Sequence, residues 1–287
     1  MSLPDGRVLE YTDLGDPAGA PLMFFHGTPA TGGQGAVLAG AAKLHGIRLI
    51  TPSRPGYGAS TLSPPGLSPT AADALELAGH LGLDRFAVLG TSGGGPFSLA
   101  VAAAAPDRLS AVAVHASPGC YADVKPEVLE ADDRRALDLA ASGDADEAMR
   151  VMDALGDAGV GNLRGLSPEE FSEAMAKMAP PGGSWLDGHP DLQQAFRSDF
   201  RRAITTSSGM SRDNLSWLRD WDIDLSAVTV PVDLVYGDAD RMAEVAHGEW
   251  LRARLPSSEL HVVPGDHTAV VFGAAADSFA AIASARS

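Results

Sequence analysis

One serine in this chain is set apart by what surrounds it. Phe86-Ala87-Val88-Leu89-Gly90 is an apolar, strand-forming run, Thr91 follows, and after Ser92 come Gly93-Gly94-Gly95-Pro96 and an alanine-rich stretch with helical composition. The order strand, tight turn, helix puts Ser92 at the turn. Glycines on both sides let the two backbones approach closely while the serine takes a strained conformation that lifts its hydroxyl clear. The helix beginning behind it aims unpaired N–H groups at any negative charge formed there. These are the needs of a hydroxyl that attacks a carbonyl carbon. The same residues also fit a glycine-rich turn whose serine only caps the helix, so the chemical reading needs partners elsewhere in the chain.

The spacing Gly90-Thr91-Ser92-Gly93-Gly94 resembles the G-x-S-x-G nucleophile elbow of the α/β-hydrolase family. A second turn resembles another part of that family: Pro21-Leu22-Met23-Phe24-Phe25 reads as a buried strand that ends at His26-Gly27-Thr28-Pro29, similar to the family's oxyanion loop. The resemblance implies that the Thr28 and Gly93 N–H groups hold an oxyanion, while His26 holds the loop without exchanging protons. Ala30 departs from the His-Gly-Gly-Pro-Gly form of proline iminopeptidase-like members, which weighs against a peptidase. Ser53-Arg54-Pro55-Gly56-Tyr57-Gly58-Ala59-Ser60 is similar to the family's R-P-G-x-G-x-S loop, with Arg54 as a hydrogen-bonding brace.

The remaining partners follow from the same resemblance. Val230 to Gly237 is a strand, and the turn after it carries Asp238 and Asp240. The family's acid stands three residues past the glycine, which selects Asp240 and leaves Asp238 as a solvated turn residue. His267, alone of eight histidines, stands in a loop just past the last strand, Leu260-His261-Val262-Val263, where the general base is expected. The order Ser92, Asp240, His267 is that of the α/β hydrolases and not of the chymotrypsin or subtilisin types. Asp266 replaces the small residue frequent before this histidine, and a carboxylate there can raise the pKa of the ring or move it.

These residues need a frame, and the pattern supplies one. Arg7 to Thr12 reads as an edge strand, Ile47 to Thr51 and Leu109 to His115 as further strands, with helices over Gln34 to His45 and from a Ser68 cap to His80. The alternation implies an α/β fold, a mostly parallel sheet flanked by helices. From Cys120 to Trp221 only helical segments appear: Pro126–Ala141, Ala145–Leu155, Pro168–Ala179 and Pro190–Ile204. They resemble the cap, or lid, of many α/β hydrolases. The expected division is therefore a core of residues 1–119 and 222–287 and a helical cap of residues 120–221. Met149, Met152, Met175 and Met178 sit at helical spacing in that cap and either line a substrate pocket or fill its core, the commoner use of methionine. Thr91, next to the nucleophile, is a further substrate-contact candidate.

Composition bounds the rest. A chain of 287 residues with 45% hydrophobic content forms a large core, and its net charge of −16 repels nucleic acid and anionic membranes. A single cysteine, Cys120, permits no internal disulfide, and the polar start lacks a signal pattern, so a cytoplasmic protein is expected. No spacing of ligands suggests a metal, and no Walker or dinucleotide fingerprint suggests a cofactor. The expected activity is hydrolysis of carboxylic esters or lactones of small, largely uncharged molecules through an acyl-enzyme. Alternatives on the same site are an aminopeptidase, a C–C hydrolase and a biosynthetic cyclase or lyase; a ligand receptor is a third class.

Overall fold

The computed structural model describes residues 1–178 and 184–284. Seven strands form one sheet: β1 Tyr11–Gly15, β2 Ala20–Phe25, β3 Ile47–Pro52, β4 Phe86–Thr91, β5 Leu109–His115, β6 Val232–Gly237 and β7 Ser258–Val263, in the order β1-β3-β2-β4-β5-β6-β7. Only β1 runs antiparallel, against β3. It begins at Tyr11, later than the expected Arg7, because the backbone of residues 7–9 pairs instead with the first residues of the chain: Leu3 N–H donates to the Arg7 carbonyl at 2.8 Å and Leu9 N–H to the Met1 carbonyl at 2.9 Å.

The helices are α1 Ala39–Leu44, α2 Leu67–His80, α3 Gly95–Ala104, α4 Tyr121–Val124, α5 Ala131–Ala141, α6 Ala145–Val160, α7 Pro168–Met178, α8 Pro190–Ala203, α9 Ser208–Trp217, α10 Val245–Arg252, α11 Ala275–Asp277 and α12 Phe279–Ser284. Alternation along the strands explains why both faces of the sheet are covered. Met23, Phe25 and Val88 point into one core with α2 and α3, while Leu22, Phe24 and Leu89 point into another with Ala42 of α1 and with Ala275, Phe279 and Ile282 near the C-terminus. Ser68 is not the cap of α2. The helix starts at Leu67, and the carboxylate of Asp222, far along the chain, accepts from Leu67 N–H at 2.8 Å and from Ser68 N–H at 3.2 Å.

The helical insertion between β5 and β6 is built in two parts. Ala136 and Leu137 of α5, Met152 of α6 and Leu215 and Trp217 of α9 belong to the main core. Leu163, Phe171 and Ile204 form a separate small cluster with Met175 and Phe200 between α7 and α8. The expected helix Pro126–Ala141 is interrupted, a short 3-10 turn over Pro126–Val128 preceding α5, and the Ala179 end of the expected Pro168 helix lies outside the described residues.

Helix α8 is fastened to the core by Asp199. Its carboxylate accepts from the N–H of Thr31 at 3.0 Å and from the Thr31 hydroxyl. Burial pushes its pKa from 3.8 up to about 6, against the lowering pull of those bonds. The fold thus favours the neutral acid, so this group's stabilising contribution is full below the unfolded value and is lost as pH rises through about 6. Asp199→Asn should therefore gain stability relative to the parent between pH 4 and pH 7, by about 1–3 kcal/mol, since each tenfold change in proton affinity between folded and unfolded chains is worth ~1.4 kcal/mol. Urea unfolding at the two pH values measures the difference; a constant gap would remove Asp199 from the titration.

Candidate active site

Strand β4 ends at Thr91, and Ser92 turns the chain into α3 at φ 51, in the left-handed region that a non-glycine residue occupies at a cost. Close packing enforces the turn. A Cβ on Gly90 would stand 2.6 Å from the Gly94 oxygen and the Gly95 Cα, and one on Gly94 would stand 2.6 Å from the His26 oxygen. At Gly94 the elbow and the His26 loop therefore touch backbone to backbone.

Three residues from separate ends of parallel strands converge here. His267 Nε2 lies 3.0 Å from Ser92 Oγ, and His267 Nδ1 lies 2.7 Å from Asp240 Oδ2. An acceptor at Nδ1 fixes the tautomer, leaving Nε2 free to take the serine proton. The other Asp240 oxygen accepts from the N–H groups of Met242 at 2.8 Å and Ala243 at 3.0 Å, so this buried carboxylate cannot swing away. Asp238 is exposed but engaged: its Oδ1 accepts from Gly265 N–H at 3.0 Å, and Ala239 N–H donates to the Gly265 carbonyl at 3.1 Å. These two bonds clamp the acid-bearing turn to the histidine loop, where the sequence suggested only a solvated aspartate. Asp266 faces the next turn, accepting from the Thr268 hydroxyl and the Ala269 N–H, both at 2.8 Å. The His267 ring keeps its place between Asp240 and Ser92.

Thr28 faces Gly93, where an added Cβ would lie 2.8 Å from Thr28 Cβ and 3.4 Å from Thr28 N. Among the described residues Thr28 N–H has no acceptor, whereas Gly27 N–H donates to Gln34 Oε1 at 2.8 Å. His26 is fully buried. Its Nε2 accepts from Arg54 N–H at 3.1 Å, so Nδ1 carries the proton and donates to the Gly27 carbonyl at 2.8 Å. Burial first, and the nearby Arg54 charge second, push its pKa well below the usual value, so the ring is a neutral strut.

Arg54 is the brace that the sequence suggested, with a partner that it did not. Its guanidinium donates to the carbonyls of His26 and Gly27 and to Thr28 Oγ1, and pairs at 2.6 Å with Asp213 of α9. Both side chains are buried, 1% and 0% exposed. No local motif announces Asp213.

The other described substrate-contact candidates lie beneath the sheet or in packed clusters. Thr91 is fully buried on the Leu89 face of the sheet, its hydroxyl without a partner among the described residues. Met152 and Met149 pack with the main core and Met175 with the small cluster under α7; the Met178 side chain lies outside the described residues. What does meet the histidine loop is the segment before α8, where Trp185 N–H donates to Thr268 Oγ1 at 3.1 Å; within α8, Phe196 meets Phe272 edge-on at 5.7 Å. Three metal-capable groups with no sequence spacing in common, Asp233, Glu259 and His261, come within 4.8 Å of one another on the exposed part of β6 and β7. Among the described residues no helix is long and apolar enough to cross a membrane.

The backbone angle at Ser92 gives a direct test of the elbow. Ser92→Gly should be more stable than Ser92→Ala by about 1 kcal/mol, the scale of a left-handed conformation forced on a side chain. Urea denaturation of the two variants measures it. Equal stability would mean that the angle carries no strain.

A sequence profile of the α/β hydrolase fold matches residues 20–148. A non-heme haloperoxidase of Rhodococcus erythropolis is 26% identical over 274 residues, which cover 92% of this chain and 90% of its own. A solved hydrolase from Pseudomonas aeruginosa PA01 aligns over 100% of this chain and 97% of its own with a TM-score of 0.67 at 21% identity. For an esterase from Rhodococcus sp. ECU1013 the coverage is 99% and 97%, the TM-score 0.65 and the identity 22%. With the parallel sheet, the elbow after β4 and the helical insertion between β5 and β6, these likenesses show that the chain has the α/β-hydrolase fold.

Proposed function

We propose that this chain is a serine hydrolase that cleaves carboxylic ester or lactone bonds of small, largely uncharged molecules. The observation that carries the reading is the unbroken hydrogen-bonded series from Ser92 Oγ through His267 to Asp240, with Thr28 packed against Gly93 next to the serine. His267 takes the Ser92 proton as Oγ attacks the carbonyl carbon, and Asp240 stabilises the imidazolium that forms. The Thr28 and Gly93 N–H groups receive the oxyanion. His267 then returns its proton to the leaving oxygen, and water repeats the sequence on the acyl-enzyme to release the acid. The segment from Trp185 to α8, seated on the histidine loop, acts as the cap in this reading and bounds the substrate on that side.

The esterase among the structural neighbours agrees with this reading. The haloperoxidase relative supports a second one on the same acyl-enzyme. Hydrogen peroxide in place of water would attack the acyl carbon, release a peracid and regenerate Ser92. The two reactions differ only in the nucleophile of the second half.

An ester panel of varied acyl length, run in heavy-oxygen water, tests both. Isotope should enter the released acid, and Ser92→Ala should abolish turnover. Asp240→Asn should lower kcat by about ten-thousand-fold, the scale of a histidine left in the wrong tautomer, while Asp238→Asn should cost far less. An active Ser92→Ala protein would end the covalent reading. Faster acyl transfer to added peroxide than to water would favour the second reading over the first.

A further inference from the structure

Asp213 lies on α9, in the helical insertion, yet its carboxylate is fully buried against the mouth of the sheet. It accepts from the Thr28 hydroxyl at 2.7 Å, from Arg54 Nη2 at 2.6 Å and Nε at 3.1 Å, and from the Tyr57 hydroxyl at 3.1 Å. The two Arg54 bonds grip the guanidinium along one edge, which fixes the plane of the fork. The N–H groups left over reach the carbonyls of His26 and Gly27, the latter at 3.0 Å.

That last contact has a geometric consequence. The Gly27 carbonyl and the Thr28 N–H belong to one planar peptide unit and point in opposite directions. Held on one side by Arg54 and by His26 Nδ1–H at 2.8 Å, the Gly27 oxygen forces Thr28 N–H to the other side, where Gly93 lies. A guanidinium free to turn would free the peptide to turn. We infer that Asp213 is a positioning residue for the oxyanion hole: it orients Arg54, Arg54 holds the Gly27 carbonyl, and that carbonyl aims the Thr28 amide. This inference rests on the acyl-transfer reading given above.

It also makes α9 a fixed wall of the site and not part of a moving lid. Arg212, next to Asp213, donates from Nη2 to Thr70 Oγ1 at 2.9 Å and from Nε to the Ser63 carbonyl at 3.1 Å. One turn on, Ser216 Oγ accepts from Gly66 N–H at 2.8 Å. Gly209 at the start of the helix lies on the Tyr57 ring, where even a Cβ would come within 2.8 Å of its carbons.

The test compares the parent protein with Asp213→Asn and with the double variant Arg54→Met/Asp213→Leu, which replaces the buried pair by apolar groups and keeps a folded protein available if Asp213→Asn does not fold. Each is assayed with an activated ester and with an organophosphonate that labels Ser92, at a temperature where circular dichroism shows it folded. The expected result is a fall of about a hundredfold in kcat and in the labelling rate, the scale of one lost oxyanion donor. KM should change little, and the pH midpoint should not move, because the His267–Asp240 bond is untouched. A folded variant with parent kcat and labelling rate would overturn the role of Asp213 and leave the hydrolase reading intact; so would a loss accompanied by a shifted pH midpoint. A parent protein that takes no label at Ser92 would overturn both.

Discussion

A guanidinium with almost no contact with water sets the terms for this molecule. Arg54 is 1% exposed, and taking its charge out of water costs several kcal/mol unless charge and hydrogen bonds are returned to it. Asp213 returns the charge, and the carbonyls of His26 and Gly27 and the Thr28 hydroxyl take up the other donors. Removing one partner of such a pair costs about 3–5 kcal/mol, whereas an apolar pair of similar volume can be neutral. The ion pair is therefore weak as cement. Its use lies in direction, since a planar fork with fixed acceptors leaves its neighbours one arrangement.

The elbow obeys the same logic by other means. Ser92 sits at φ 51 because strand, helix and the His26 loop meet through glycine backbones with no room for another path. A strained residue persists only where its surroundings over-determine it. Ser92 is held by steric contact, and Thr28 by its bonds to the Arg54–Asp213 ion pair.

The candidate site was easier to read from the sequence than its scaffolding. Elbow, oxyanion loop, acid turn and histidine loop are each short segments in which turn-forming residues follow a strand, so local composition and order suffice to mark them. The sheet was legible for a similar reason, apolar β-branched runs at regular intervals. Helix α9 was not. Its sequence, Ser-Gly-Met-Ser-Arg-Asp-Asn-Leu-Ser-Trp, is rich in weak helix formers, and it is helical because Arg212, Asp213 and Ser216 find partners in the core. The cap of α2 was misread likewise: Ser68 has the right residue type, but the carboxylate that does the capping comes from Asp222. Thr91 looked like a contact residue from its place beside Ser92, and strand alternation instead buries it beneath the sheet.

The separation of Arg54 and Asp213 bears on the order in which the chain is made. They are 159 residues apart, and translation delivers the arginine long before the helix that neutralises it. Until α9 emerges, the nascent N-terminal half holds a cation with no carboxylate to receive it at the place where the oxyanion loop and β4 must close. The first five strands, β1 to β5, precede α9 in the chain and can pair before then. Completion of the Arg54 network is thus tied to synthesis past residue 213, and a chain released earlier holds Ser92 and Thr28 without the carboxylate that fixes Arg54 beside Thr28.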